Sequence, residues 1–172
     1  MGLVRRHGTN VAAEARWPER LRACAMFLAL SAIAHLAWEI LQLPLYTIWS
    51  NGTRGEVAFA VLHCTAGDVI LAALFLTMAI VVGRCWSWPN GDWGVLAGLT
   101  MLAGVAFTAY SEWLNVYVLK AWSYSAAMPL VHVGSIDIGL SPLLQWIVVP
   151  CIVFTVLKLH RCGQQLRIAL GK

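Results

Sequence analysis

Four long apolar segments alternate with short polar connections along this chain. They lie at about Leu21–Leu43, Val57–Val82, Trp93–Leu119 and Ser141–Leu159. Each is close to or above the roughly 20 residues that a helix needs to cross a membrane. Runs this long and continuously apolar are typical of helices rather than of alternating barrel strands. The pattern predicts an all-α, polytopic integral membrane protein, with residues 1–172 forming a single four-helix transmembrane domain and residues 1–14 a disordered tail.

Residues that start and stop helices flank these segments. Thr53–Glu56 has the S/T-x-x-E form of a capping box, which predicts a helix start before the second segment. Asp92 is placed as an N-cap of the third helix, and Ser141 followed by Pro142 as the start of the fourth. Pro44 is expected to end or kink the first helix.

Composition supports a membrane protein. The chain is 60% hydrophobic and 12% charged, with a mean hydropathy of +0.72, whereas soluble domains have about 25% charged residues. Its basic residues cluster near the two ends: Arg5, Arg6, Arg16, Arg20, Arg22, Lys158, Arg161, Arg167 and Lys172. The positive-inside rule therefore predicts that both termini are cytoplasmic, in a plasma or inner membrane. This end clustering does not form a basic face, so no nucleic-acid partner is expected.

The N-terminal segment has a second interpretation. Ala23–Ser31 resembles the apolar region of a signal peptide, and Ala32–Ala34 resembles a cleavage site for signal peptidase. The apolar pattern nevertheless continues to Trp49 without a break. We therefore expect an uncleaved first span.

Ionisable and amide side chains within the apolar segments are the most informative feature. They are His35, Glu39, Gln42, His63, Asp68, Glu112, Asn115 and Gln145. A charged group at the centre of a membrane helix costs about 2.5–3.5 kcal/mol on insertion scales, so such residues usually face a bundle interior or a wet cavity. The only Lys and Arg within the predicted spans are Arg22 and Lys158, at the span ends and far along the helices from the carboxylates. Protonated carboxyls, charged histidines or a bound cation would each balance them.

Helical phase and depth predict how these side chains are grouped. His35 and Glu39 are four residues apart and share one face of the first helix. Glu112 lies on a similar polar stripe of the third helix, and depth counting places a shared pocket in the outer half of the bundle. His63 is expected to form a third side of this pocket. Asp68, five residues on, is expected to lie deeper and to be rotated away.

The segment Ile33–Glu39, followed by Tyr46, resembles the His-x-x-x-Glu segment of sterol isomerases in the EXPERA group of small four-helix membrane proteins. Trp146 and Pro150 resemble the Trp and Pro of that group's last helix. The resemblance implies proton shuttling across a double bond of a lipid-like substrate. The implied positions are His35, Glu39 and Glu112. Gln145, directly before Trp146, departs from the group's pattern.

The leading functional prediction is a membrane-embedded enzyme that performs acid/base chemistry on a lipid or isoprenoid. Its predicted catalytic residues are Glu39 and Glu112 for proton transfer, with His35 and His63 as orienting partners or shuttles. The predicted substrate-binding residues are Asn115, Gln42, Gln145, Trp122, Tyr124 and Asp68. This prediction requires no cofactor. The sequence lacks a P-loop, a dinucleotide-binding glycine fingerprint and a G-x-S-x-G motif, so nucleotide, flavin and serine-hydrolase functions have no support.

Two other functions stay open. A divalent metal held by His35, Glu39, His63 and Glu112 would indicate metal handling or proton-coupled transport. A non-catalytic membrane subunit or assembly factor would use the same polar groups to join helices. The outer loop over residues 120–139 is apolar enough to fold back on the bundle as a lid or as an interfacial anchor. Gly94 and Gly98 predict a close helix contact, within the bundle or in a homo-oligomer.

Overall fold

The computed structural model describes residues 17–171, so the predicted tail and the basic residues before Trp17 lie outside the described part. The fold is mostly helical, with 76% of the described residues in helices. Its five α-helices are α1 (Trp17–Gln42), α2 (Ile48–Asn51), α3 (Arg54–Val82), α4 (Trp93–Trp113) and α5 (Leu140–Leu170). A 3-10 turn spans Leu43–Leu45, a π-helix spans Leu114–Val118, and two strands form β1 (Leu130–Val133) and β2 (Ile136–Gly139).

Four of the helical segments are long and apolar enough to cross a membrane, as the hydrophobic pattern predicts. They are Trp17–Leu45, Arg54–Val82, Trp93–Val118 and Leu140–Arg167. In the bundle α1 packs on α3 and α5, and α4 packs on the same two helices from the other side. The order around the bundle is therefore α1, α3, α4, α5.

The apolar core fills the half of the bundle nearest the α3–α4 connection. Phe27 of α1, Leu96 of α4 and Leu157 of α5 are buried there, together with Trp88 of the connection. Polar pairs close this end, where Arg161 Nη2 lies 3.3 Å from Glu19 Oε2. Because α1 begins and α5 ends beside this connection, both ends of the described chain lie at the same end of the bundle.

Two of the four helix-terminus predictions are confirmed. The Thr53 hydroxyl accepts the Glu56 backbone N–H at 3.3 Å, and Glu56 Oε2 accepts the Thr53 N–H at 2.7 Å, which completes the capping box. α1 ends at Gln42, and Pro44 lies in the 3-10 turn that follows it. A proline cannot continue the helical hydrogen-bond ladder, so the chain turns here.

The other two predictions are wrong in their mechanism. Asp92 does stand before α4, but its φ is +58° and its carboxyl accepts hydrogen bonds from Ser87 of the preceding turn instead of capping the helix. α5 begins one residue before Ser141, after Gly139. The Ser141 hydroxyl, at 2.9 Å, donates to Gln42 Oε1 and so joins α5 to α1.

The segment after the π-helix folds back on the open end of the bundle, as its apolar composition predicts. Its backbone pairs with the chain that follows α1, through Thr47 N–H to Ser123 O at 3.0 Å and Ser125 N–H to Leu45 O at 2.9 Å. The segment then forms the antiparallel β1–β2 hairpin, which the all-α prediction did not include. Met128 is buried beneath it.

Gly94 and Gly98 lie on an outward face of α4. Among the described residues, nothing outside the local helix comes within 4 Å of a Cβ built at either glycine. The glycines therefore make no close contact within the bundle. The predicted homo-oligomer contact through this face stays a prediction.

Candidate functional site

A cavity of about 370 Å³ lies inside the half of the bundle that the 119–139 segment covers. This volume is at the small end of the range for ligand pockets, about 300–1,000 Å³. All four long helices line it, and Trp122 of the covering segment lines it as well. Two groups of polar side chains face this cavity, one centred on Gln145 and the other on Glu112.

Gln145 is the centre of the first group, which we call the Gln145 cluster (His35, Glu39, Gln42, Asp68 and Gln145). Its side-chain nitrogen lies 2.9 Å from His35 Nδ1, 3.0 Å from Glu39 Oε1 and 2.8 Å from Asp68 Oδ2. Gln42 donates to Glu39 Oε1 at 2.8 Å. Since Gln145 is only 3% exposed, three helices meet in a polar cluster that is almost closed to solvent.

The Gln145 cluster gathers three titratable groups around one amide. The side-chain amide nitrogen carries two hydrogens, and three acceptor-capable atoms of His35, Glu39 and Asp68 surround it. With the amide turned the other way, its oxygen would face the same three atoms. In both orientations the imidazole and the two carboxyl groups share one buried polar partner.

Apolar packing holds the His35 imidazole in place. The ring is 1% exposed and its centroid lies 5.1 Å from that of Trp146, which makes an edge contact with Phe75 at 5.3 Å. Trp146 in turn fills a notch at Gly104 of α4. A Cβ at this glycine would lie 2.1 Å from Trp146 Cε3. Only a residue without a side chain fits at position 104 while Trp146 keeps its place against His35.

Glu112 and two tyrosines form the second group, which we call the Glu112 cluster (Tyr46, Glu112 and Tyr124). The Tyr124 hydroxyl donates to Glu112 Oε2 at 2.6 Å, and the Tyr46 hydroxyl donates to Oε1 at 3.5 Å. Tyr124 also accepts the Gly139 N–H at 3.0 Å, which fixes its ring. Each carboxyl oxygen of Glu112 thus has a phenol as donor.

Both phenols stay neutral at physiological pH. Burial raises the pKa of Tyr124, and its hydrogen bond to Glu112 raises it further. Burial likewise raises the pKa of Tyr46, with an added contribution from the nearby Glu112 charge. A phenol that keeps its proton can donate to a carboxyl oxygen, so both tyrosines remain hydrogen-bond donors to Glu112.

Asn115 lies on the π-helix that follows α4. Its amide donates to Ser111 O at 2.8 Å and to the Ser111 hydroxyl at 3.2 Å, and the residue lines the cavity. π-helical turns are frequent at functional sites. The wider turn gives Asn115 its position beside Glu112, as the polar stripe on this helix indicates.

The structure corrects the expected place of Asp68, while His63 lines the cavity from α3. Asp68 is 15% exposed, its Oδ2 lies 3.4 Å from His35 Nδ1, and it belongs to the Gln145 cluster instead of being rotated away. His63 is exposed at the cavity edge, with its ring stacked on Phe59 at 5.4 Å. Sequence periodicity gives the angle between two positions on a helix, but it does not give the rotation of α3 about its own axis.

Several residues of the site were missed as site residues. Ser141 was assigned to a helix cap, and Tyr46 was noted only as part of the segment that resembles sterol isomerases. Their spacing carried a signal, because Tyr46 lies seven residues after Glu39 and Ser141 lies four before Gln145. Gly104 was not predicted to belong to the site, because its function as a notch depends on the tryptophan of another helix.

The four residues of the metal hypothesis do not converge. His35 and Glu39 belong to the Gln145 cluster, Glu112 is held by tyrosines, and His63 is at the cavity edge. Within residues 17–171, no group of three or more His, Cys, Asp or Glu side chains is arranged to hold a metal ion. The described geometry does not fit the proposed metal set.

Comparison with family models, curated proteins and solved structures finds no match to this chain. The resemblance to EXPERA-type proteins therefore stays a prediction. Of its implied positions, His35 and Glu39 lie in the Gln145 cluster and Glu112 lies in the other cluster of the same cavity.

Proposed function

We propose that this protein is a membrane-embedded enzyme that transfers protons to and from an apolar, lipid-like substrate held in the cavity. The observation that carries the proposal is the Gln145 cluster, in which an imidazole and two carboxyl groups meet around one buried amide beside the cavity. Side chains of these types, placed within reach of a ligand, can give and take protons.

The roles follow from the two clusters. Glu39 lines the cavity on α1, and we assign it as the proton donor. Glu112 lines the same cavity on α4, and we assign it as the acceptor for a proton that leaves the substrate. His35 and Asp68, 3.4 Å apart beside Gln145, are assigned to orient and relay.

The lining favours a lipid-like substrate. Beside the polar clusters the cavity wall is formed by large apolar side chains, among them Leu71, Phe107 and Trp146. Four apolar helices surround the cavity, so a ligand dissolved in the bilayer would lie next to it. The proposed topology has the four long helices crossing a plasma or inner membrane, with both termini cytoplasmic and the cavity in the outer half.

Deuterium incorporation tests the proposal for any lipid whose double bond shifts in the cavity. The purified protein is placed in vesicles of a total bacterial lipid extract supplemented with unsaturated isoprenoid alcohols and sterols, and incubated in D₂O. A shift of a double bond adds one deuteron to a carbon and removes one proton from another. Mass spectrometry of the lipids then detects the label, which wild type is expected to introduce into one class of molecule.

Two variants make this test specific to the cavity. Glu39→Gln removes the proposed proton donor and should abolish incorporation while the protein still inserts and folds. Glu19→Gln changes the same residue type on the same helix, far from the cavity, and should retain incorporation. If wild type adds no label beyond protein-free vesicles, or if Glu39→Gln labels as well as wild type, the proposed acid/base function is wrong.

A structural function is the second candidate, because the same amide links three helices. Gln145 of α5 contacts side chains of α1 and α3, and Ser141 bonds to Gln42. Interhelical polar contacts of this kind hold membrane bundles together by about 0.6 kcal/mol each on average. If Gln145→Leu lowers the thermal midpoint and no variant or wild type shows deuterium exchange, the polar groups serve stability instead.

A further inference from the structure

The cavity is closed on one side of the bundle and open on the other. Its lining residues on α1 and α5, such as Glu39 and Gln145, are buried. On the opposite side, His63 of α3 and Phe107 of α4 line the cavity and are also exposed on the outer surface of the bundle. The opening therefore lies between α3 and α4.

Small residues create this opening. His63, Gly67 and Leu71 are spaced four apart and share one face of α3, and all three line the cavity. Outside the local helix, no described residue comes within 4 Å of a Cβ built at Gly67. Across the gap the cavity is lined by Ser111, which is also small. The missing side-chain volume at these positions separates the two helices' surfaces above their aromatic contact.

An aromatic pair closes the opening on the side of the apolar core. Phe75 of α3 and Phe107 of α4 meet with their ring centroids 6.0 Å apart. The gap thus begins at this pair and extends toward the end of the bundle that the 119–139 segment covers. At that end Trp122 also lines the cavity. We call this lateral opening between α3 and α4 the window. The Phe75–Phe107 pair forms its boundary on the side of the apolar core.

The depth of the window points to hydrocarbon outside it. Gly67 lies 13 residues into a 29-residue helix, about 20 Å along a length of roughly 43 Å. Phe107 lies 14 residues after Trp93, again near the middle of its segment. When these helices cross a bilayer, mid-helix positions face acyl chains rather than water or headgroups.

We propose that the substrate enters sideways from the bilayer, through a window between α3 and α4 at Gly67, as a single hydrocarbon chain. The inference rests on the proposed function in taking the cavity as the substrate site. The cavity volume suits one chain rather than a whole two-chain lipid. Glu39, Asp68 and Glu112 line it without any Lys or Arg, so the chain's polar end is uncharged rather than anionic.

A photoreactive probe tests the window directly. The probe is hexadecanol with a mid-chain diazirine, an uncharged single chain, added to vesicles that contain the protein. After illumination, mass spectrometry maps the labelled residues. In wild type we expect labelling inside the cavity, at Leu71 or Trp146, as well as at Ile70, which is exposed on the outer surface and serves as the internal reference.

Two glycine variants separate the window from general effects. Gly67→Phe places a ring in the opening and should reduce cavity labelling relative to Ile70 by about tenfold, equivalent to about 1.4 kcal/mol of binding. Gly98→Phe places the same ring on the open outward face of α4, away from the cavity, and should leave the labelling ratio unchanged. If Gly67→Phe fails to fold, Gly67→Leu fills the same gap with a smaller side chain.

The labelling result does not depend on whether the protein catalyses proton transfer. Unchanged cavity labelling in a folded Gly67→Phe or Gly67→Leu protein would overturn the window, even if deuterium exchange supports the enzyme. Equal loss of labelling in Gly98→Phe would overturn it as well. Loss confined to the Gly67 variants supports the window, even if no exchange is found and the proposed function fails.

Discussion

A methyl group at Gly104 should displace the tryptophan that holds His35. In Gly104→Ala the added Cβ would lie 2.1 Å from Trp146 Cε3, 2.5 Å from Cδ2 and 2.9 Å from Cγ. Ordinary carbon contacts start near 3.5 Å, so the closest approach is roughly 1.4 Å too short. The indole is 2% exposed and packs on Phe75, so displacing it breaks a buried aromatic contact.

The expected loss in the free energy of unfolding follows from the cost of overpacking a core. Inserting a methyl group into a well-packed core typically destabilises by about 1–3 kcal/mol, and a rigid indole places Gly104→Ala near the upper end. Alanine in place of a helical glycine returns about 0.8–1.0 kcal/mol. We therefore expect a net loss of about 2 kcal/mol, equivalent to about 4–8 °C in the thermal midpoint at this chain length.

Thermal unfolding in a mild detergent, followed by tryptophan fluorescence, measures this loss. Gly98→Ala is the matched control, because its methyl group meets open space on the same helix and should be neutral or stabilising. Adding Trp146→Leu to Gly104→Ala removes the overlap, so the two changes should be strongly non-additive. A Gly104→Ala midpoint equal to that of Gly98→Ala would refute the notch.

Two further predictions concern the open end of the bundle. Tyr124→Phe removes the 2.6 Å donor to Glu112 Oε2 and should destabilise the protein by about 1–3 kcal/mol and reduce deuterium exchange, whereas Tyr110→Phe, at an exposed tyrosine, should do neither. Thr53→Ala breaks the capping box and should lower the free energy of unfolding by about 1 kcal/mol. Restored stability in Thr53→Ser would assign this loss to the hydroxyl, and an unchanged thermal midpoint in Thr53→Ala would contradict the cap.

Hydrophobic periodicity was sufficient for the long helices but not for what lies between them. The four predicted spans match the four long apolar helices because the length and hydropathy of a span are local properties of the sequence. The β1–β2 hairpin was not predicted. It depends on contacts beyond its own residues, such as the Tyr117 hydroxyl, which donates to Asp137 O at 3.0 Å and accepts its N–H at 2.8 Å.

The same limit applies to the site. Pairs on one helix, such as His35 with Glu39, were grouped correctly because the helical repeat fixes their common face. Asp68 was misplaced because its partners, His35 and Gln145, lie on other helices. Which face of α3 points into the bundle depends on packing against the other helices. Gly67 lies on that face, and its lack of a side chain leaves an opening where a larger residue would make a contact.

The two clusters differ in a way that suits opposite steps of one reaction. In the Gln145 cluster, two carboxyl groups and an imidazole surround one amide. At Glu112 a single carboxyl group contacts two tyrosine hydroxyls. A ligand in the cavity therefore lies within reach of Glu39 on α1 and of Glu112 on α4, one carboxyl group on each side. Joining helices alone does not require carboxyl groups to line a cavity from two sides.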